Sequence, residues 1–69
     1  MMPIKVDEQI MHGAPCFAGT RVPVQNLFDL LSRGRTLDYF LSQFPTVSRE
    51  QALAVLEMAS QFLQKPPAA

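Results

Sequence analysis

The stretch that decides the fold is Phe44-Pro45-Thr46-Val47-Ser48-Arg49-Glu50-Gln51. Proline has no backbone N–H to give and its ring clashes with the preceding turn, so a helix arriving from upstream stops at Pro45. Ser48 followed at the third place by Gln51 is a capping box: the hydroxyl takes the N–H of residue 51 and the Gln51 amide reaches back to the N–H of Ser48. One helix ends and another begins within a few residues, the connection expected of a helix-turn-helix. Val47 before the cap and Ala52 after it are placed to form a hydrophobic staple.

Downstream of the cap, Ala52, Val55, Leu56, Ala59, Phe62 and Leu63 recur at the spacing of one buried helical face, and Leu53 and Met58 broaden it. Upstream, Leu37, Phe40, Leu41 and Phe44 repeat that spacing behind Thr36, an N-cap residue. Further upstream, Val24, Leu27, Phe28 and Leu31 make a third apolar face, with Gln25, Asn26, Asp29 and Ser32 turned away from it. Pro23 suits the first turn of that helix and Gly34 its stop. Before the helices, Ile4 to Val6 is β-prone and His12-Gly13 reads as a turn. A tight turn at Gly19-Thr20 is expected to join two short strands, Pro15 to Ala18 and Arg21-Val22. The expected fold is mainly α: a three-helix, helix-turn-helix, homeodomain-like bundle with a short N-terminal β-hairpin. Residues 1–64 read as one domain and Lys65 to Ala69 as a disordered tail, because Pro66 and Pro67 cannot continue a helix.

Sixty-nine residues bury a small core, and such domains draw on disulfides, metals or a partner chain. Cys16 is the single cysteine, so no disulfide forms within the chain. His12 and Cys16 do not complete a zinc site, and no metal or cofactor is expected. The remaining source of stability is helix packing or a homodimer, for which Leu30, Leu53, Met58 and the hairpin edge offer surface. The chain shows no signal-peptide pattern and no apolar run long enough for a membrane, and with a lone thiol this points to the cytoplasm.

Six basic and six acidic residues cancel, which argues against nucleic-acid binding through bulk charge but leaves local clusters open. Arg49, Glu50 and Gln51 open the third helix, where base-edge readers lie in a helix-turn-helix. Capping accounts for Ser48 and Gln51 but does not require Arg49. Arg33 and Arg35 flank Gly34, where they either complement the helix dipole or meet phosphate. Arg21 is read as an anchor of the Gly19-Thr20 turn through a carboxylate or carbonyl, with a ligand or DNA role as the alternative. Cys16, beside Phe17, reads as a small buried hydrophobe. No catalytic motif orients it or His12, and no enzyme is expected. Tyr39 suits either rim packing or a partner interface.

The run Gly13-Ala14-Pro15-Cys16-Phe17-Ala18-Gly19-Thr20-Arg21-Val22-Pro23-Val24, then Gly34, Phe44-Pro45 and Val47-Ser48-Arg49-Glu50-Gln51-Ala52, resembles domain of unknown function family 433. Gly19, Thr20, Arg21, Pro23 and Ser48 belong to its structural motif. The resemblance implies a homeodomain-like helix-turn-helix, often dimeric, acting as an antitoxin of a type II toxin–antitoxin module. Like VapB-type antitoxins, it would bind a PIN-like ribonuclease toxin and repress its own operon by holding operator DNA. Where the family often has Ser-Pro-Glu-Glu, this chain has Thr36-Leu37-Asp38-Tyr39, and Arg35 stands in place of a frequent apolar or acidic residue. Both changes make the surface less acidic. Only Gln64 to Ala69 follow Leu63, so a toxin contact is expected on the third helix or the hairpin. The alternative function is a protein-interaction adaptor of the same fold with no DNA role.

Overall fold

A computed structural model describes residues 3–9 and 11–64. Two short strands, β1 (Ile4–Lys5) and β2 (Cys16–Phe17), precede three helices, α1 (Gln25–Ser32), α2 (Leu37–Gln43) and α3 (Arg49–Gln64). The expected tail, Lys65 to Ala69, lies outside the described residues. The mainly α, three-helix architecture with an N-terminal hairpin is as expected.

The hairpin pairs differently from the expectation. β2 runs antiparallel to β1, with Ile4 opposite Phe17 and Lys5 opposite Cys16. Arg21-Val22 forms no strand. Its side of β2 carries one isolated bridge, Cys16 to Pro23, and the bond from Phe17 N–H to Val22 O at 3.0 Å. The reason is local. Pro23 has no N–H with which to extend a ladder, and Thr20 pulls the chain into a turn. The Thr20 hydroxyl donates to Phe17 O at 2.8 Å and accepts from Val22 N–H at 3.0 Å. Gly19 stands third in this turn with φ +76°, the sign a type II turn demands there. Ahead of β2, a single 3-10 turn over Met11–Gly13 places His12 at φ 57°, which agrees with the turn read at His12-Gly13.

α1 begins two residues later than expected. Val24 N–H donates to Pro15 O at 2.9 Å, which holds Pro23 against β2 and delays the helix to Gln25. α1 ends as its sequence indicates. Gly34 N–H donates to Leu31 O and Arg35 N–H to Leu30 O, at 3.0 and 2.9 Å, around Gly34 at φ +85°. This is a Schellman cap. Thr36 caps α2, its hydroxyl accepting from Tyr39 N–H at 3.0 Å. The capping box at Ser48 is complete: Gln51 N–H donates to the Ser48 hydroxyl at 3.0 Å, and Ser48 N–H to Gln51 Oε1 at 3.1 Å.

The core is Phe17, Leu27, Phe40, Val47, Ala52 and Val55, with the first three fully buried as its largest members. The Phe40 ring lies 5.7 Å from that of Phe17 and 5.1 Å from that of Phe44, both tilted, as aromatic pairs prefer. Phe28, Leu30, Leu31, Leu41 and Leu56 pack around it, partly buried. Leu30 is therefore not spare surface. Nor does the expected stripe on α3 stay covered. Phe62 is 60% exposed and Leu63 76%, and Leu53 and Met58 are about half exposed. Leu53, beside the buried Ala52 in the second turn, lies off the covered face, and length explains the exposure at the far end. With 16 residues α3 is about 24 Å long, whereas α1 and α2, with 8 and 7, reach only about 12 and 10 Å. The last turns of α3 run past the helices that would cover them.

Candidate nucleic-acid interface

The start of α3 is held from two sides. On one side, the Gln51 amide faces the hairpin: its Nε2 donates to Ala18 O at 2.9 Å, while its Oε1 serves the cap. On the other side, Arg49 pairs with Asp38 in the first turn of α2. Residues two apart on a helix point about 200° apart, so Arg49 and Gln51 address opposite flanks. Glu50, between them, is exposed, and its charge near the N-terminus complements the helix dipole.

Arg35 and Arg49 both come against the first turn of α2. Arg35 lies over the Tyr39 ring, its guanidinium carbon 4.9 Å from the centroid, and Arg49 reaches Asp38 next door. Tyr39 is thus a platform for Arg35 at the rim. The Arg49–Asp38 pair is open to water, with side chains 55% and 77% exposed, so it is worth no more than about 1 kcal/mol and is easily exchanged for another anion. Asp38 and Glu50 leave two acidic groups on this surface. Nothing in the sequence links positions 38 and 49, which meet only through the packing of α2 on α3.

Arg33 stands apart. It is the C-cap of α1, its N–H bonded back to Asp29 O and Leu30 O, and its side chain lines an open groove with Asn26, Asp29, Leu30 and Phe44. Arg21 does not anchor its turn. Among the described residues its side chain makes no hydrogen bond or ion pair, and Thr20 does the anchoring instead. A hydroxyl directly after the glycine of the turn is the signal for that role. Cys16 is buried, its thiol donating to Ala14 O at 3.4 Å, as expected of a small hydrophobe. Among the described residues no three His, Cys, Asp or Glu side chains converge to hold a metal, and no helix is long and apolar enough to cross a membrane.

The surface can present two arginines beside an exposed helix start whose backbone is fixed by one reciprocal cap and one tertiary hydrogen bond. No curated protein and no solved structure matches the chain. The family model described as Protein of unknown function (DUF433) matches residues 4–59, most of the 69, and the chain belongs to that family.

Proposed function

We propose that this protein is a non-enzymatic, cytoplasmic DNA-binding regulator of the antitoxin type, in which α2, the connection and α3 act as a helix-turn-helix. The observation that carries the reading is the exposed first turn of α3, presenting Arg49 and Glu50, with Arg35 just ahead of α2 and over its Tyr39 ring. Phosphate contacts fix register and side chains at the helix start read base edges. Gln51, with both ends of its amide engaged, holds the helix start in place, and Arg33 is a backbone contact at the edge of the site. The burial of Cys16 supports a non-enzymatic role.

Partners fit the same picture. Met58, Phe62 and Leu63 continue the core stripe of α3 beyond its own bundle and suit a second copy, the arrangement that reads a two-fold operator. Leu53 and Val6, also exposed, leave apolar surface for a PIN-like toxin on α3 and the hairpin. The test is Arg49→Ala in a gel shift against the operon's own upstream duplex. The variant is expected to bind at least about fivefold more weakly, the loss of about 1–3 kcal/mol for a base-reading arginine. Unchanged binding rules out the α3 start as the reading surface.

A second reading, a protein-interaction adaptor without DNA, is favoured by one observation: Asp38 neutralises the arginine best placed to meet DNA. It is separated from the first by Asp38→Asn, which sharpens DNA binding only if DNA is bound.

A further inference from the structure

Lys5, Gly19, Thr20, Arg21 and Thr46 line an open groove of about 380 Å³ between the hairpin turn and the connection that leads into α3. Its walls carry two cations and no carboxylate. Among the described residues the one ion pair in the molecule is Arg49–Asp38, so neither Lys5 nor Arg21 is neutralised. Asp7 lines the adjoining pocket with Lys5 and Thr20 but forms no ion pair with Lys5, so in a chain of zero net charge the groove keeps a local positive field among the described residues. The Thr20 hydroxyl is already bonded twice within the turn and acts as wall. The Lys5 ammonium, the Arg21 guanidinium and the Thr46 hydroxyl make no hydrogen bond within the described residues and remain available as donors. Gly19 has no atom within 4 Å of where a Cβ would sit, so the backbone there is open to close approach.

The groove is also fixed in position. Gln51 bonds Ala18 O, tying the turn that carries Gly19 and Arg21 to the first turn of α3. Gln51 and Arg49 point to opposite flanks of α3. The helix start therefore has Arg35 and Arg49 on its α2 side and Lys5 and Arg21 on its hairpin side.

We propose that the Lys5–Arg21–Thr46 groove seats a nucleic-acid backbone phosphate, so that the N-terminal turn of α3 is clamped by phosphate contacts from both sides. This rests on the DNA-binding reading and goes beyond it. The hairpin becomes part of the binding surface, and Arg21 passes from a turn residue to a contact. A helix entering a major groove about 12 Å wide meets a phosphate backbone on each flank, which is the geometry two opposed basic pairs serve. Such contacts position the protein and carry no sequence preference of their own.

The test is fluorescence anisotropy of the full chain on its upstream duplex and on a scrambled duplex across a salt series, comparing the unaltered protein with the double variant Lys5→Gln, Arg21→Gln. Each phosphate contact contributes about 0.9 to the slope of log affinity against log salt. The double variant is expected to lower that slope by about 0.9 per protomer, for the one phosphate the groove seats, while leaving the ratio between the two duplexes unchanged. Mere loss of folded protein reduces affinity without altering the slope, so it does not imitate this result. An unchanged slope in the double variant, with Arg49→Ala still weakening binding, overturns the groove alone. Absence of duplex binding by the unaltered protein at every salt concentration overturns the groove and the DNA-binding reading together.

Discussion

Gln51 is the residue on which the position of α3 depends, and its replacement by Met isolates that dependence. Methionine keeps the length and the apolar stem while removing the hydrogen bond accepted from Ser48 N–H within the cap, the one donated to Ala18 O across 33 residues of sequence, and a long 3.4 Å contact accepted from the Ser48 hydroxyl that adds little. A typical protein hydrogen bond contributes about 0.5–1.5 kcal/mol net, and the Ala18 bond, in a partly buried site, sits in the upper half of that range. The expected loss is therefore about 1–3 kcal/mol. At about 0.05–0.15 kcal/mol per residue the whole domain has only some 3–10 kcal/mol to lose. For this size each kcal/mol moves the melting temperature by about 4–8 °C, so Gln51→Met melts about 4–24 °C lower. Gln51→Glu separates the two bonds. Its carboxylate still completes the capping box, but it has no proton for Ala18 O and sets a charge against that carbonyl. Helical circular dichroism followed with temperature reads both, and a cycle with Ser48→Ala isolates the cap. Gln51→Met melting within about 2 °C of the unaltered protein would refute the claim that this amide joins the hairpin to α3.

Further outcomes follow from the same contacts. Phe17→Ala removes a fully buried ring in contact with Phe40, and the expected loss of about 3–5 kcal/mol leaves much of the chain unfolded at room temperature in a urea titration. Phe28→Ala, at the partly buried rim, costs less, and the reverse order would contradict the core assignment. Gly34→Ala costs about 1–2 kcal/mol through φ +85° alone, since no atom stands near the added Cβ, and a melt that does not fall contradicts the Schellman cap. Asp38→Asn releases Arg49 and is expected to tighten duplex binding up to about fivefold, the equivalent of the ~1 kcal/mol an exposed pair is worth; weaker binding in anisotropy would place Asp38 itself in the contact.

What the sequence made legible was what neighbouring residues decide. The caps at Thr36 and Ser48, the stop at Gly34 and the break at Pro45 each depend on one or two local groups, and each stands where the chain announces it. Pairings between distant segments were not legible. Nothing within Cys16-Phe17 distinguishes Ile4-Lys5 from Arg21-Val22 as its partner, and the choice turns on the missing N–H of Pro23 and the doubly bonded Thr20 hydroxyl. Phe17 reads as a strand residue in sequence, yet it is one of the three largest fully buried side chains, because β1 and the 22–24 segment press β2 onto the helices. On α3 periodicity marked the apolar face but not how far it is covered, since coverage depends on the shorter lengths of α1 and α2. At the candidate site the arginines were visible as residues. The partnering of Arg49 by Asp38, of Arg35 by Tyr39, and the absence of any partner for Arg21 among the described residues are products of packing.

The central claim is that this neutral protein binds DNA through the start of α3, and the most direct measurement is an anisotropy titration of the unaltered protein on its own upstream duplex and on a scrambled one, at about 50 and 200 mM salt. The expected result is tighter binding to the upstream duplex at both concentrations. With three phosphate contacts per protomer, from Arg33, Arg35 and the Lys5–Arg21 groove, affinity is expected to fall at least about fortyfold between the two salts. Equal binding to both duplexes, or no binding to either, would contradict it.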